Sequence, residues 1–80
     1  MDYEIQSNEG RSGFNCYFSV GNKRFYGDIT DFPSGQPECM IFSVGKNGRI
    51  NWNGLYQNKD VKVSKQELIS CIKEFKESKE

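Results

Sequence analysis

The stretch FNCYFSVGNKRFYGDI, residues 14–29, decides the fold of this chain. Apolar and polar side chains alternate through residues 14–20, the dipeptide Gly-Asn at positions 21–22 interrupts the pattern, and the alternation resumes through residues 24–29. A period of two is typical of a half-buried strand, because successive side chains of a strand point to opposite faces. Both residues of the interruption tolerate positive φ, so the stretch predicts a hairpin closed by a primed two-residue turn.

The short turn also predicts the register of this hairpin. Two residues in the loop pair Phe14 with Ile29, Phe18 with Phe25, and Tyr17 with Tyr26. The first two pairs share an apolar face, and the tyrosine pair lies on the opposite face beside Arg24. A shift by one residue would move every apolar side chain to the other face, so burial supports this register.

A second hairpin is predicted over residues 40–52. A three-residue loop, Lys46-Asn47-Gly48, pairs Val44 with Ile50 and Phe42 with Trp52 and gives Gly48 the left-handed position that such loops need. In this interpretation Met40, Phe42, Val44, Ile50 and Trp52 face the core, whereas Ile41 lies on the opposite face.

One helix is predicted at the C-terminus, over about residues 65–77. Ser64 is suited to the N-cap, and Glu67 follows three residues later, as a capping box requires. Beyond the cap, one apolar stripe recurs at helical spacing and consists of Leu68, Cys71, Ile72 and Phe75. Residues 76–80 are predicted to fray.

Together these elements predict one small globular domain, residues 1–80, of the α+β class. Its sheet is an antiparallel meander of about five strands with hairpin loops near 21–22 and 46–48, and the helix packs on one face. Residues 53–60 are expected to turn the chain, and Val61 and Val63 to add a short strand. The expected core is Ile5, Phe14, Phe18, Val20, Phe25, Ile29, Met40, Phe42, Val44, Ile50, Trp52, Leu68, Ile72 and Phe75.

Composition excludes several classes of protein. The 11 Lys and Arg residues balance the 11 Asp and Glu residues, which argues against a general polyanion binder. No stretch reaches the roughly 18 apolar residues of a membrane span, and the N-terminus does not resemble a signal peptide. Three widely spaced cysteines, Cys16, Cys39 and Cys71, are expected to be reduced and buried, so a cytoplasmic location without membrane association is predicted.

Catalytic and metal-binding patterns are not found in the sequence. There is no histidine, the commonest general base near neutral pH, and no cysteine pair at zinc spacing. Asp28, Asp31, Glu38 and Asp60 are interpreted as solvated carboxylates. A protein that is not an enzyme, with no metal and no cofactor, is therefore expected.

The face opposite the helix is the candidate binding surface. Tyr17, Tyr26, Arg24 and Ile41 are predicted to lie there, and aromatic residues with arginine supply much of the affinity of protein interfaces. The leading hypothesis is a small intracellular protein-binding module of the inhibitor, immunity or phage and plasmid accessory type, which acts by steric occlusion of a protein partner.

Two alternatives remain open. The first is a protein that binds single-stranded nucleic acid, with aromatic side chains that stack bases and with contacts from Lys23, Lys46, Arg49 and Tyr56; the zero net charge makes nucleic acid the less favoured partner. The second is a structural subunit of a homo-oligomer, such as a homodimer, that pairs through the open face or an edge strand.

Overall fold

A computed structural model describes residues 3–31 and 35–79, and for residues 56–59 it describes the backbone alone. Within these residues, five strands form a single antiparallel sheet in chain order, and one helix packs on one of its faces. The predicted α+β class is therefore confirmed. The elements are β1 (Gln6–Ser7), β2 (Phe14–Val20), β3 (Lys23–Thr30), β4 (Glu38–Val44), β5 (Ile50–Asp60) and α1 (Lys65–Lys79).

The first hairpin has the predicted register. Cα partners on β2 and β3 include Phe14 with Ile29, Phe18 with Phe25, and Tyr17 with Tyr26. Gly21 has a φ of 63°, and no described residue other than glycine has a positive φ. A positive φ at the first loop residue alone is the pattern of a type II′ turn, whose twist matches that of the flanking strands.

The helix covers the face of the sheet that carries Phe18 and Phe25. The Ser64 hydroxyl accepts a hydrogen bond from the Glu67 amide at 3.1 Å, so Ser64 is the N-cap as predicted. The buried stripe of α1 is Leu68, Cys71, Ile72 and Phe75. The Phe75 ring meets the Phe25 ring edge-on, with 4.9 Å between the centroids. The helix continues through Lys79, two residues past the predicted end, and the fraying of residues 76–80 stays a prediction.

The second hairpin has the predicted loop but a different register beyond it. The Gly45 amide donates to the Arg49 carbonyl at 2.8 Å, Gly48 has a φ of 82°, and Val44 pairs with Ile50. Phe42, however, pairs with Leu55 and not with Trp52.

The cause is a bulge in β5. Four residues of β5, Asn51 to Gly54, lie opposite the single residue Ser43. Gly54 lies in this bulge, where a Cβ would lie 2.6 Å from the Ser43 hydroxyl, and glycine within a strand commonly marks a bulge. β5 then continues to Asp60, so the prediction of a turn over residues 53–60 and a separate strand at Val61 is wrong. Val61 packs against the core as coil.

The predicted faces of β4 and β5 are also wrong. Ile41 pairs with Gly27, and Cys39 with Ile29, on the face that the helix covers. Met40, Phe42, Val44, Ile50 and Trp52 consequently do not join the core beneath the helix, which is built from Cys16, Phe18, Phe25, Ile29, Cys39, Ile41, Leu68, Cys71, Ile72 and Phe75. All three cysteines are free and buried, as expected.

Candidate functional site

The sheet face opposite the helix, which we call the open face, carries a continuous row of large side chains. Successive Cα partners across β2, β3, β4 and β5 form this row, which consists of Tyr17, Tyr26, Phe42 and Leu55 and which we call the aromatic row after its three aromatic members. The Trp52 ring packs against the row, with its centroid 5.1 Å from that of Phe42 and 6.0 Å from that of Tyr26. The bulge in β5 therefore places Trp52 over its neighbours.

Exposure divides this row into a buried base and an exposed surface. Tyr26 and Phe42 are only 6% and 7% exposed, whereas Tyr17, Trp52 and Leu55 are 46%, 61% and 47% exposed. In residues 3–31 and 35–79, with side chains 56–59 set aside, these are the most exposed large hydrophobic side chains, and all three belong to the open face.

Two flanking rows give the open face its charges. Towards the hairpin loops, Arg24 lies on the same face as the aromatic row, and its guanidinium carbon is 6.0 Å from the centroid of the Tyr17 ring. Towards the opposite end of the strands, Glu38 and Asp60 are Cα partners on this face. The open face is therefore cationic at the hairpin end and anionic at the far end, with apolar side chains between them.

A buried carboxylate lies next to the aromatic row. Asp28 is 2% exposed and accepts three hydrogen bonds: from Arg11 Nη2 at 2.7 Å, from the Tyr26 hydroxyl at 3.0 Å and from Asn8 Nδ2 at 3.4 Å. Asn15 Nδ2 in turn donates to Asn8 Oδ1 at 2.7 Å. A buried carboxylate is stable only when it is paired and hydrogen-bonded, and this network satisfies that condition.

The network ties the loop between β1 and β2 to the open face. The Thr30 hydroxyl donates to the Ser12 carbonyl at 2.8 Å, and the backbone N–H of Asn8 donates to the Gly13 carbonyl at 3.0 Å. Gly13 has a φ of 112°, and a Cβ there would overlap the Ile29 carbonyl oxygen. Only glycine fits this approach of the loop to β3.

The Asp28 carboxylate also changes the titration of Tyr26. Burial of the phenol, the negative charge of Asp28 and the hydrogen bond to Asp28 raise the pKa of Tyr26 well above its ordinary value, in that order of importance. The hydroxyl therefore remains a neutral donor throughout the physiological pH range.

A groove of about 420 Å³ runs between this loop and the aromatic row. Its walls include Asn8 and Arg11 from the loop and Tyr17, Tyr26 and Trp52 from the open face. The groove combines aromatic rings with fixed hydrogen-bonding groups, which is the composition of a recognition site.

A second groove, of about 440 Å³, lies at the hairpin end of the sheet, and Lys23, Arg24 and Lys46 line it. No acidic residue occurs in residues 10–27 or 39–59. Both hairpins therefore present cations at this end, although the chain as a whole is neutral.

The structure brings together only part of the predicted partner-binding set. Tyr17 and Arg24 are exposed on the open face, and Tyr26 lies on that face but is buried beneath Trp52. Ile41 is a correction: it is fully buried on the helix face, because β4 pairs with β3 in the opposite phase to that expected.

Among the predicted nucleic-acid contacts, Lys23, Lys46 and Arg49 are exposed at the hairpin end. The predicted contact by Tyr56 falls on a side chain outside the described residues. The interpretation of Asp28 as a solvated carboxylate is wrong, since loop 8–13 buries it.

Sequence reasoning missed Phe42, Trp52 and Leu55 as members of the open face. In β4 the side chains at positions 39 and 41 are as apolar as those at positions 40 and 42. The sequence therefore did not show which of the two sets faces the helix. The loop composition, with Asn8 and Arg11, contains hydrogen-bond donors, but no local spacing links them to Asp28.

The chain was compared with protein-family models, with curated proteins and with solved structures. No protein-family model matches the chain, no curated protein matches it, and no solved structure matches it. Within the described residues, no group of three or more potential metal ligands was found. Over the same part of the chain, no helix has the length and apolar character needed to cross a membrane.

Proposed function

We propose that the chain is a small, non-catalytic protein-binding module whose open face docks a protein partner. One observation carries this proposal: Tyr17, Trp52 and Leu55, the most exposed of the described large hydrophobic side chains, all lie on the open face. Scattered apolar side chains are ordinary on a protein surface, whereas a contiguous patch with a polar rim is characteristic of an interaction site.

The way in which the side chains are layered supports docking over a purely structural role. Tyr26 and Phe42 are buried beneath the patch, so cross-strand packing is already satisfied below the exposed rings. Burial of Trp52 and Leu55 would contribute roughly 1–3 kcal/mol each if a partner covered them.

The rim of the patch supplies groups that orient a partner. Arg11 is held by Asp28, with its side chain still 33% exposed, and Arg24 lies over the Tyr17 ring. Guanidinium groups beside exposed aromatic rings are typical of residues that dominate binding energy at interfaces. The mechanism that we propose is steric: the bound module blocks a surface of its partner.

Three buried, unbridged cysteines support a reducing compartment, and we propose the cytoplasm as the place of action.

Site-specific photo-crosslinking in the source organism tests this function. A photoreactive phenylalanine analogue replaces Leu55 in the exposed patch, and in the control it replaces Lys73 on the exposed side of α1. We expect irradiation to give a discrete protein adduct from position 55 and not from position 73.

The same Leu55 probe in a chain with Tyr17→Ser and Trp52→Ser keeps the photoreactive group but lacks the neighbouring rings, so the adduct should be lost. Equal adducts from positions 55 and 73, or an adduct that survives both serine substitutions, would contradict docking at the open face.

The second candidate function is binding of single-stranded nucleic acid, which the cationic groove at the hairpin end favours. Lys23, Arg24 and Lys46 line that groove, and Arg24 connects it to the Tyr17 ring. Cations that follow a phosphate backbone beside an aromatic ring are the usual features of such sites. Fluorescence anisotropy of labelled oligothymidylate at low salt tests this candidate: binding that Lys23→Glu and Lys46→Glu abolish would support it, and no binding would exclude it.

A further inference from the structure

Opposite charges occupy the two ends of the open face. Arg24 and the loop residue Lys46 lie at the hairpin end, whereas Glu38 and Asp60 are Cα partners at the far end. The aromatic row crosses the sheet between them. A surface of this kind complements itself only if a rotation exchanges its two ends.

Two limiting arrangements with aligned strands bring two open faces together about a two-fold axis. If the axis runs parallel to the strands, Arg24 and Lys46 of one copy face the same cations of the other, and like charges repel. If the axis runs along the aromatic row, each row lies on its counterpart and the ends are exchanged. Lys46 of each copy then approaches Asp60 of the other. Paired sheets commonly keep their strands within about 30° of each other, and this second arrangement, in which the strands of the two copies run antiparallel, is compatible with that angle.

We propose that a second copy of this chain covers the open face, in the antiparallel orientation that exchanges the charged ends. This inference rests on the proposed function, because it names an occupant of the same docking surface. The contact is isologous, so the aromatic row of one copy lies on the aromatic row of the other. Lys46 of each copy pairs with Asp60 of the other copy, which gives two such pairs.

The size of the face predicts how tight this dimer is. Four strands about 4.8 Å apart and seven residues long at about 3.3 Å per residue make a face of roughly 19 Å by 23 Å. Loop 8–13 lies over the Asp28 end of β2 and β3, so part of each face is already covered. Two such faces therefore bury at most on the order of 900 Å² in total, which is below the standard size of specific interfaces. The dimer is therefore weak and reversible, and it masks the patch until a tighter protein partner displaces the second copy.

Analytical ultracentrifugation of the full chain tests the inference directly. From about 10 μM to about 1 mM at low salt, we expect the mass to rise from 9.2 kDa towards twice that value. The rise should be smaller at high salt, because salt screens the exposed charges. A mass of 9.2 kDa at every concentration would overturn the inference.

Charge exchange tests the orientation. Lys46→Glu should weaken dimerisation about tenfold, because two rim pairs become repulsive, and addition of Asp60→Lys should restore it. Lys73→Glu, on the exposed side of α1, makes the same change of charge and should have no effect. Failure of the double variant to recover, or an equal effect of Lys73→Glu, would contradict the antiparallel dimer.

Trp52→Ser tests the surface itself and should abolish dimerisation while circular dichroism remains unchanged. A dimer that persists in this variant would use another surface and would overturn the inference. A strictly monomeric protein that still gives an adduct with a different protein from position 55 would overturn only the self-association and leave the docking function intact.

Discussion

Replacement of Asp28 by asparagine is the sharpest test of how the groove is built. The substitution preserves the shape of the side chain but removes the negative charge towards which Arg11, Tyr26 and Asn8 donate hydrogen bonds. An amide offers one oxygen and one NH₂ group, so at least one of the three donors must face another donor.

The magnitude follows from the best orientation of that amide. Its oxygen would face Arg11 and Tyr26, which preserves the 2.7 Å and 3.0 Å contacts as weaker, uncharged hydrogen bonds, and its NH₂ group would face Asn8. Loss of charge assistance costs about 1 kcal/mol, and an unsatisfied buried donor costs about another 1–3 kcal/mol. Because the Arg11 side chain is 33% exposed, solvent recovers part of this cost. We expect a loss of about 2 kcal/mol.

Thermal and urea unfolding measure this loss. For a domain of this size, about 2 kcal/mol corresponds to a decrease in Tm of roughly 8–16 °C. Trypsin should also cleave after Arg11 faster in the variant, because the loop is held by the same carboxylate. The control is Glu77→Gln on the exposed surface of α1, which should change stability by less than about 0.5 kcal/mol. An Asp28→Asn protein as stable and as resistant to trypsin as the wild type would refute this account of the network.

Three further outcomes are expected. Gly13→Ala should destabilise the fold by more than about 3 kcal/mol in urea titrations, since its Cβ overlaps the Ile29 carbonyl, whereas Gly10→Ala, which also has a positive φ but open space, should cost about 1–2 kcal/mol; equal costs would argue against the close approach. The raised pKa of Tyr26 means that its proton is held more tightly in the folded state than in the unfolded state. The contribution of Tyr26 to the free energy of unfolding is therefore complete below about pH 10 and falls by about 1.4 kcal/mol per pH unit above it. The free energy of unfolding of Tyr26→Phe should fall less steeply with pH above about pH 10, and parallel curves for the two proteins would be inconsistent with the shift. The thiols of Cys16, Cys39 and Cys71 are at most 1% exposed, so a thiol reagent such as Ellman's should modify the native protein only as fast as it unfolds. The protein in denaturant should react at once. Rapid labelling of the native protein would contradict the burial of these thiols.

Local features of the sequence determine the first hairpin and the helix. Only one register places Phe18 and Phe25 on a common apolar face and leaves Gly21 in the turn, so the alternation and the turn residue agree. The Ser64 cap and the apolar stripe that follows it depend only on neighbours within a few positions along the chain.

Tertiary structure alone decided which side of β4 and β5 faces the helix. Both phases of β4 are apolar, so alternation supports Cys39 and Ile41 as well as Met40 and Phe42, and only the pairing with β3 selects between them. In β5 the bulge at residues 51–54 breaks the period of two on which any prediction of the face depends.

The buried carboxylate shows the same limit for the candidate site. Asp28 is separated from Arg11 by 17 positions and from Asn8 by 20, and no local pattern relates them. The antiparallel pairing of β2 with β3 and the close approach of Gly13 to β3 bring the loop over the carboxylate. Periodicity along a chain reports which side chains share a face, whereas burial on that face depends on what the rest of the chain lays over it.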